Sequence, residues 1–106
     1  MDGSDLVRVR NGQVTRLGRN IAPARRHAAM GIWTDRAENV YVAVPAERAV
    51  KRVTQGGRIS TVLQSPLLWS PTGGAFAPNG DLWLLESSVT QAVRVRRIEA
   101  RQLRPR

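Results

Sequence analysis

Gly73-Gly74-Ala75-Phe76-Ala77-Pro78-Asn79-Gly80-Asp81-Leu82-Trp83-Leu84-Leu85-Glu86 is the stretch on which the fold is read. Gly73 to Ala77 is small and apolar and reads as a strand. Pro78-Asn79-Gly80-Asp81 supplies a fixed φ, a residue tolerant of positive φ and a glycine, which is the chemistry of a tight turn. Leu82 to Leu85 then runs without a polar residue, so the second strand is expected to be buried on both faces. An earlier stretch, Gly31-Ile32-Trp33-Thr34-Asp35-Arg36-Ala37-Glu38-Asn39-Val40-Tyr41-Val42-Ala43-Val44, follows the same plan.

Working outward, Leu6 to Arg10, Asn11-Gly12 and Gln13 to Leu17 read as a β-hairpin, with alternating strands and the strongest short hairpin signal between them. Val7 and Val9 share one face there, and Arg8 and Arg10 the other. Gly18 to Ala29 is a connector rich in Arg, Ala and Pro; within it Ala24 to Met30 is too short and poorly capped to be a stable helix. Ala49 to Thr54 and Arg58 to Leu63 read as the third and fourth strands of the first unit, joined by a turn at Gln55-Gly56-Gly57. The linker Gln64 to Pro71 carries Leu67, Leu68 and Trp69 and is expected to pack against the body. The second unit continues with a turn at Ser87-Ser88, a strand over Gln91 to Ile98 and a fourth strand over Glu99 to Leu103.

Gly74 lies 43 residues after Gly31, and Trp83 lies 42 after Tyr41. A repeat of about 40–45 residues with four short strands is the period of propeller blades. The prediction is therefore an all-β fold of β-propeller blades, each a four-stranded antiparallel meander. Residues 5–28 form a half blade and connector, 29–71 a blade, and 72–106 a blade and C-terminal end. That makes about two and a half blades, where a closed ring takes about 4–8. An incomplete ring implies a partner for its open ends: the chain itself in a ring-closing oligomer, or further blades of a longer chain.

The two copies resemble the NHL repeat: a Pro-x-Gly start, an apolar strand, a Pro-Asp/Asn-Gly turn and an apolar-aromatic strand. The second copy matches through Pro71-Thr72-Gly73, Ala75-Phe76-Ala77, Pro78-Asn79-Gly80 and Leu82-Trp83-Leu84. The first departs from it at Ala28-Ala29-Met30 and in the turn Asp35 to Asn39. The resemblance covers roughly residues 29–98 and extends to gluconolactonase-like and virginiamycin B lyase-like propellers. It implies a protein- or ligand-binding scaffold module, or, as an alternative, part of a metal-dependent lactonase or lyase whose ligands lie outside this chain. The positions matching the metal-ligand asparagines or aspartates of the gluconolactonase-like group are Ala29 and Thr72, which carry neither carboxylate nor amide. Glu86 matches the acid that closes the lyase-like Leu-Trp-x-x-Glu pattern, but here it reads as the structural end of a buried strand.

The formal charge is +9, and 16 of the 17 basic residues are arginine. Arginine suits phosphate and carboxylate through its bidentate fork. A further alternative is therefore nucleic-acid binding, which some NHL propellers perform, with Arg8, Arg10, Arg94, Arg96 and Arg97 as the candidate anion surface. The plainer reading is that these arginines are solvated strand faces. Trp33 and Trp83, in apolar surroundings, read as inter-blade packing residues rather than base-stacking platforms.

No catalytic residue, metal ligand or cofactor is predicted in this chain. The single histidine, His27, lies among arginines and reads as a loop residue. Cysteine is absent, so disulfides and thiolate chemistry are excluded and any redox compartment is compatible. No apolar run approaches the ~18 residues of a membrane span. Met1 to Leu6 lacks the basic patch and apolar core of a signal peptide.

Overall fold

In the computed structural model, which describes residues 4–23 and 28–103, the Asn-Gly signal forms the expected turn. Asn11 and Gly12 both take positive φ, 52° and 79°, the backbone that joins right-twisted strands. They connect β1 (Ser4–Arg10) to β2 (Gln13–Ala22) in a two-stranded antiparallel sheet. Val7 opposes Arg16, and Val9 opposes Val14.

A four-stranded antiparallel sheet follows, in the order β3 (Ile32–Thr34), β4 (Val40–Val44), β5 (Ala49–Val53) and β6 (Ile59–Gln64). A short 3-10 turn over Pro45–Glu47 links β4 to β5. The last sheet has three antiparallel strands: β7 (Trp69–Phe76), β8 (Leu82–Ser88) and β9 (Val93–Ile98). All pairings among the described residues are antiparallel. The fold is all-β.

The sheets stack as three layers with β3–β6 in the middle, and β4 is apolar on both faces for that reason. Val40, Val42, Val44 and Val53 pack against Leu17, Ile21 and Ala22 of the first sheet. Tyr41, Ala43, Val50, Val62 and Leu63 pack on Leu82, Leu84 and Ile98 of the last. All five residues of β4 are buried.

The 42-residue spacing is a structural identity in the two inner hairpins. In β3–β4, Trp33 opposes Tyr41 and Thr34 opposes Val40; in β7–β8, Ala75 opposes Trp83 and Phe76 opposes Leu82. The turns between them match bond for bond. The Asp35 amide donates to the Asn39 carbonyl and the Glu38 amide to Asp35; the Ala77 amide donates to Asp81 and the Gly80 amide to Ala77. Glu38 and Gly80 occupy the same left-handed position, at φ 64° and 92°. Glycine adopts that conformation without a Cβ penalty, and glutamate does not.

Several expectations are corrected. Leu82 to Leu85 is not buried on both faces: Leu82, Leu84 and Glu86 are buried, whereas Trp83 and Leu85 are exposed. Trp33 packs in the core, but Trp83 does not, because no layer covers its side of the sheet. The segment beginning at Trp69 is strand rather than linker, with a register shift between Pro71 and Gly73. β7 is at a sheet edge, where a proline is tolerated. Leu67 and Leu68 are exposed rather than packed. β8 continues through Ser88, and the turn falls at Ser88–Ala92. Glu99 to Leu103 does not form a fourth strand. Instead Glu99 and Gln102 cap a 3-10 turn over Ala100–Gln102, and Asp81 accepts the Ala100 amide at 3.0 Å. β9 therefore has one neighbour, β8. His27 and Ala24 to Arg26 lie outside the described residues.

Candidate functional site

Two features stand out: an open apolar face on the last sheet, and a polar cluster beneath its opposite face. Alternation in β8 and β9 generates both. The antiparallel register places Leu82, Leu84 and Glu86 beside Ile98, Arg96 and Arg94, facing the middle sheet. The intervening Trp83, Leu85, Val93 and Val95, with Arg97, face outward. Trp83 is 47% and Leu85 40% exposed, and the two valines are more so. The residues 42 positions earlier, Tyr41 and Ala43, are buried under the last sheet. The far end of the stack presents Val7, Val9 and Val14, also exposed. On β1 the valines face outward, while Arg8 is the half-buried residue.

The polar cluster centres on Glu86, whose side chain is fully buried. Its Oε2 accepts from Ser65 Oγ at 2.7 Å and Arg96 Nη2 at 3.0 Å; its Oε1 accepts from Arg94 Nε at 2.8 Å and Arg96 Nε at 3.0 Å. Arg96 thus grips the carboxylate bidentately, the strong geometry for this pair. Arg94 also lies over Trp69, with its guanidinium carbon 3.9 Å from the ring centroid, a cation–π contact. Burial pushes the Glu86 carboxyl up, but hydrogen bonds from Arg96, Ser65 and Arg94 outweigh it and hold the group below the usual carboxylate range. Arg48 joins from the middle sheet, with its Nη1 3.3 Å from the Ser65 carbonyl.

At the other end of the same interface, the turns over residues 35–39 and 77–81 flank a cleft of about 350 Å³ lined by Tyr41, Phe76, Pro78, Leu103 and Arg36. Tyr41 and Phe76 meet edge to face, 4.8 Å between centroids. The Tyr41 hydroxyl donates to Asp35 Oδ2 at 2.9 Å. Asp35 also accepts from the amides of Ala37 and Asn39 and from the Asn39 side chain. Burial raises the Asp35 carboxyl, yet these bonds leave it below its ordinary value. Burial and the Asp35 hydrogen bond push the Tyr41 hydroxyl up. The carboxylate is saturated with donors, so it fixes the turn and the ring.

The five arginines singled out from the sequence do not share one surface. Arg8 and Arg10 are on β1, where Arg8 Nη1 donates to Gln55 at 2.8 Å and Arg10 lies 3.9 Å from Glu38. Arg94 and Arg96 hold Glu86, and Arg97 points to the other face, 4.0 Å from Asp81. The middle sheet separates the β1 pair from the β9 set. Glu86 is buried, but it lies inside β8, two residues before its end, and is the centre of an ion cluster rather than the end of a buried strand. Glu86, Arg94 and Arg96 are joined by register, and Ser65 and Arg48 enter through tertiary packing that no local motif announces. Among the described residues, no group of three or more His, Asp or Glu side chains converges as a metal site.

No protein-family model, curated protein or solved structure matches the chain.

Proposed function

We propose that this chain is a binding and scaffold module made of NHL-type propeller blades, which works by stacking sheet on sheet. The outer face of β7–β9 is its docking surface, and the occupant is a second copy of the chain, joined head to tail through Val7, Val9 and Val14. One observation carries the reading: Tyr41 and Ala43 are covered by the next layer, whereas their counterparts Trp83 and Leu85 are uncovered. Trp83 is of the type that dominates the energetics of buried interfaces, and Leu85 adds apolar area beside it. A heterologous contact of this kind closes into a ring when the rotation per subunit allows it.

Light scattering coupled to size exclusion tests this directly. The wild-type chain is expected to be oligomeric at micromolar concentration, and Trp83→Asp to shift it toward monomer. The net charge of +9 makes copies repel, so raising salt should strengthen association by screening. A folded wild-type monomer at all salt concentrations overturns self-association. If that monomer becomes markedly more stable when joined to further sheets of a longer polypeptide, the same face is occupied within one chain instead.

A further inference from the structure

The Glu86 cluster holds more positive charge than its own structural task requires. Glu86 is one buried carboxylate, and Arg96 alone satisfies it bidentately. Arg94 is a second cation on the same oxygen, while Arg48 reaches only the backbone carbonyl of Ser65, whose hydroxyl bonds Glu86. Two guanidiniums thus converge on one carboxylate, and the side chains of Arg94 and Arg96 remain 35% and 32% exposed.

Arg94 is held on two sides. Its Nε edge is fixed by Glu86, and its flat face lies on Trp69. Its orientation is therefore set before any ligand arrives, and a guanidinium fixed in this way loses little entropy on gripping an oxyanion. The surrounding backbone carries unusual conformations. Arg48 at φ 53°, Leu68 at φ 77° and Gln91 at φ 70° are all left-handed without being glycine. Each flanks the cluster: Arg48 is itself a member, Leu68 precedes Trp69 and accepts the Val89 amide, and Gln91 lies in the turn that leads into β9. Backbone held in such regions costs of order 1–3 kcal/mol apiece and concentrates at functional sites.

We propose that Arg94, flanked by Arg96 and backed by Trp69, is a binding site for an oxyanion that offers two oxygens to one guanidinium, a phosphate or a carboxylate. Glu86 serves as the internal counter-ion that holds the arginines in place. This site lies on the opposite side of β8–β9 from the docking face and stands independently of the scaffold reading.

The test is a titration of the isotope-labelled full chain with inorganic phosphate, and separately with acetate, at ionic strength held constant with chloride. The arginine Nε–H and tryptophan Nε1–H resonances are followed by NMR. Saturable shifts at Arg94 and Trp69, absent at Arg10, are expected, and the anion that binds more tightly assigns the phosphoryl or carboxylate class. Arg94→Lys keeps the charge but loses the fork, and should weaken binding by at least about tenfold; Arg10→Lys should leave it unchanged. Shifts that grow linearly, or equally at all arginines, overturn the site using the wild-type chain alone. Undiminished binding in a folded Arg94→Lys variant does so as well.

Discussion

Replacing Glu86 with glutamine removes the negative charge from the middle of the ion cluster and nearly preserves the shape. The wild-type carboxylate accepts four contacts of 2.7–3.0 Å from Ser65, Arg94 and Arg96. Breaking a fully buried ion pair by neutralising one partner costs about 3–5 kcal/mol, because the other charge is left uncompensated. Here the arginine side chains are one-third exposed, so water recovers part of their solvation, and the amide oxygen still accepts from Ser65. The expected loss is about 2–3 kcal/mol. Urea unfolding at pH 7 and fixed protein concentration should show it as a lower midpoint with an unchanged slope. The pH dependence adds a second signature. The Glu86 carboxyl is held below its ordinary value in the folded protein. Its contribution is therefore complete above the unfolded value and is lost as pH falls through the folded one. The gap between wild type and Glu86→Gln should be constant near neutrality and close in acid. A gap within about 0.5 kcal/mol at pH 7, the range of an ordinary surface change, would refute the reasoning, as would a gap that persists unchanged into strong acid.

Two other perturbations probe the contact between the middle and last sheets. A Cβ on Gly31 would collide with the Thr72 carbonyl oxygen and meet the Gly73 Cα at 2.7 Å, both backbone atoms. Gly31→Ala should therefore destabilise by about 1–3 kcal/mol, while Gly56→Ala, whose nearest neighbour is a threonine hydroxyl at 3.9 Å, should stay within about 0.5 kcal/mol in the same denaturation assay. Tyr41 is the only tyrosine, so its ionisation can be followed by ultraviolet absorbance without interference from another tyrosine. It should titrate above the ordinary tyrosine value, and Asp35→Asn should lower the midpoint because it removes the negative acceptor. Stability linked to Tyr41 is complete below the unfolded value and lost as pH rises through the folded one.

Local chemistry made much of the fold legible. Asn11-Gly12 specified its hairpin, and the recurrence near 42 residues located the paired hairpins, because turn residues and apolar alternation are local signals. What lies above a strand is not local. Leu82 to Leu85 reads as a doubly buried run, just as Val40 to Val44 does, yet only the latter has a layer on each side. The same limit applied to the site. Arg94 and Arg96 could be picked out as cations on one face, but their engagement with Glu86 follows from strand register. Ser65 was invisible because its partner lies 21 residues away. Glu99 to Leu103 misled because its apolar and polar residues fit a strand, while the Glu99 and Gln102 side chains satisfy a turn's backbone groups instead.

The matched turns at Glu38 and Gly80 carry a consequence for length. Each outer sheet packs on the middle sheet, and the middle hairpin superimposes on the next in register and turn. A stack of this kind behaves as a one-dimensional chain, in which stability is a sum over layers and the contacts between neighbours. Duplicating one 42-residue period between the two hairpins would insert a layer without rewriting either end, leaving Trp83 and Leu85 outermost. The number of layers is thus separable from the chemistry of the faces, and the polypeptide can be lengthened in whole periods while its termini keep the same surfaces.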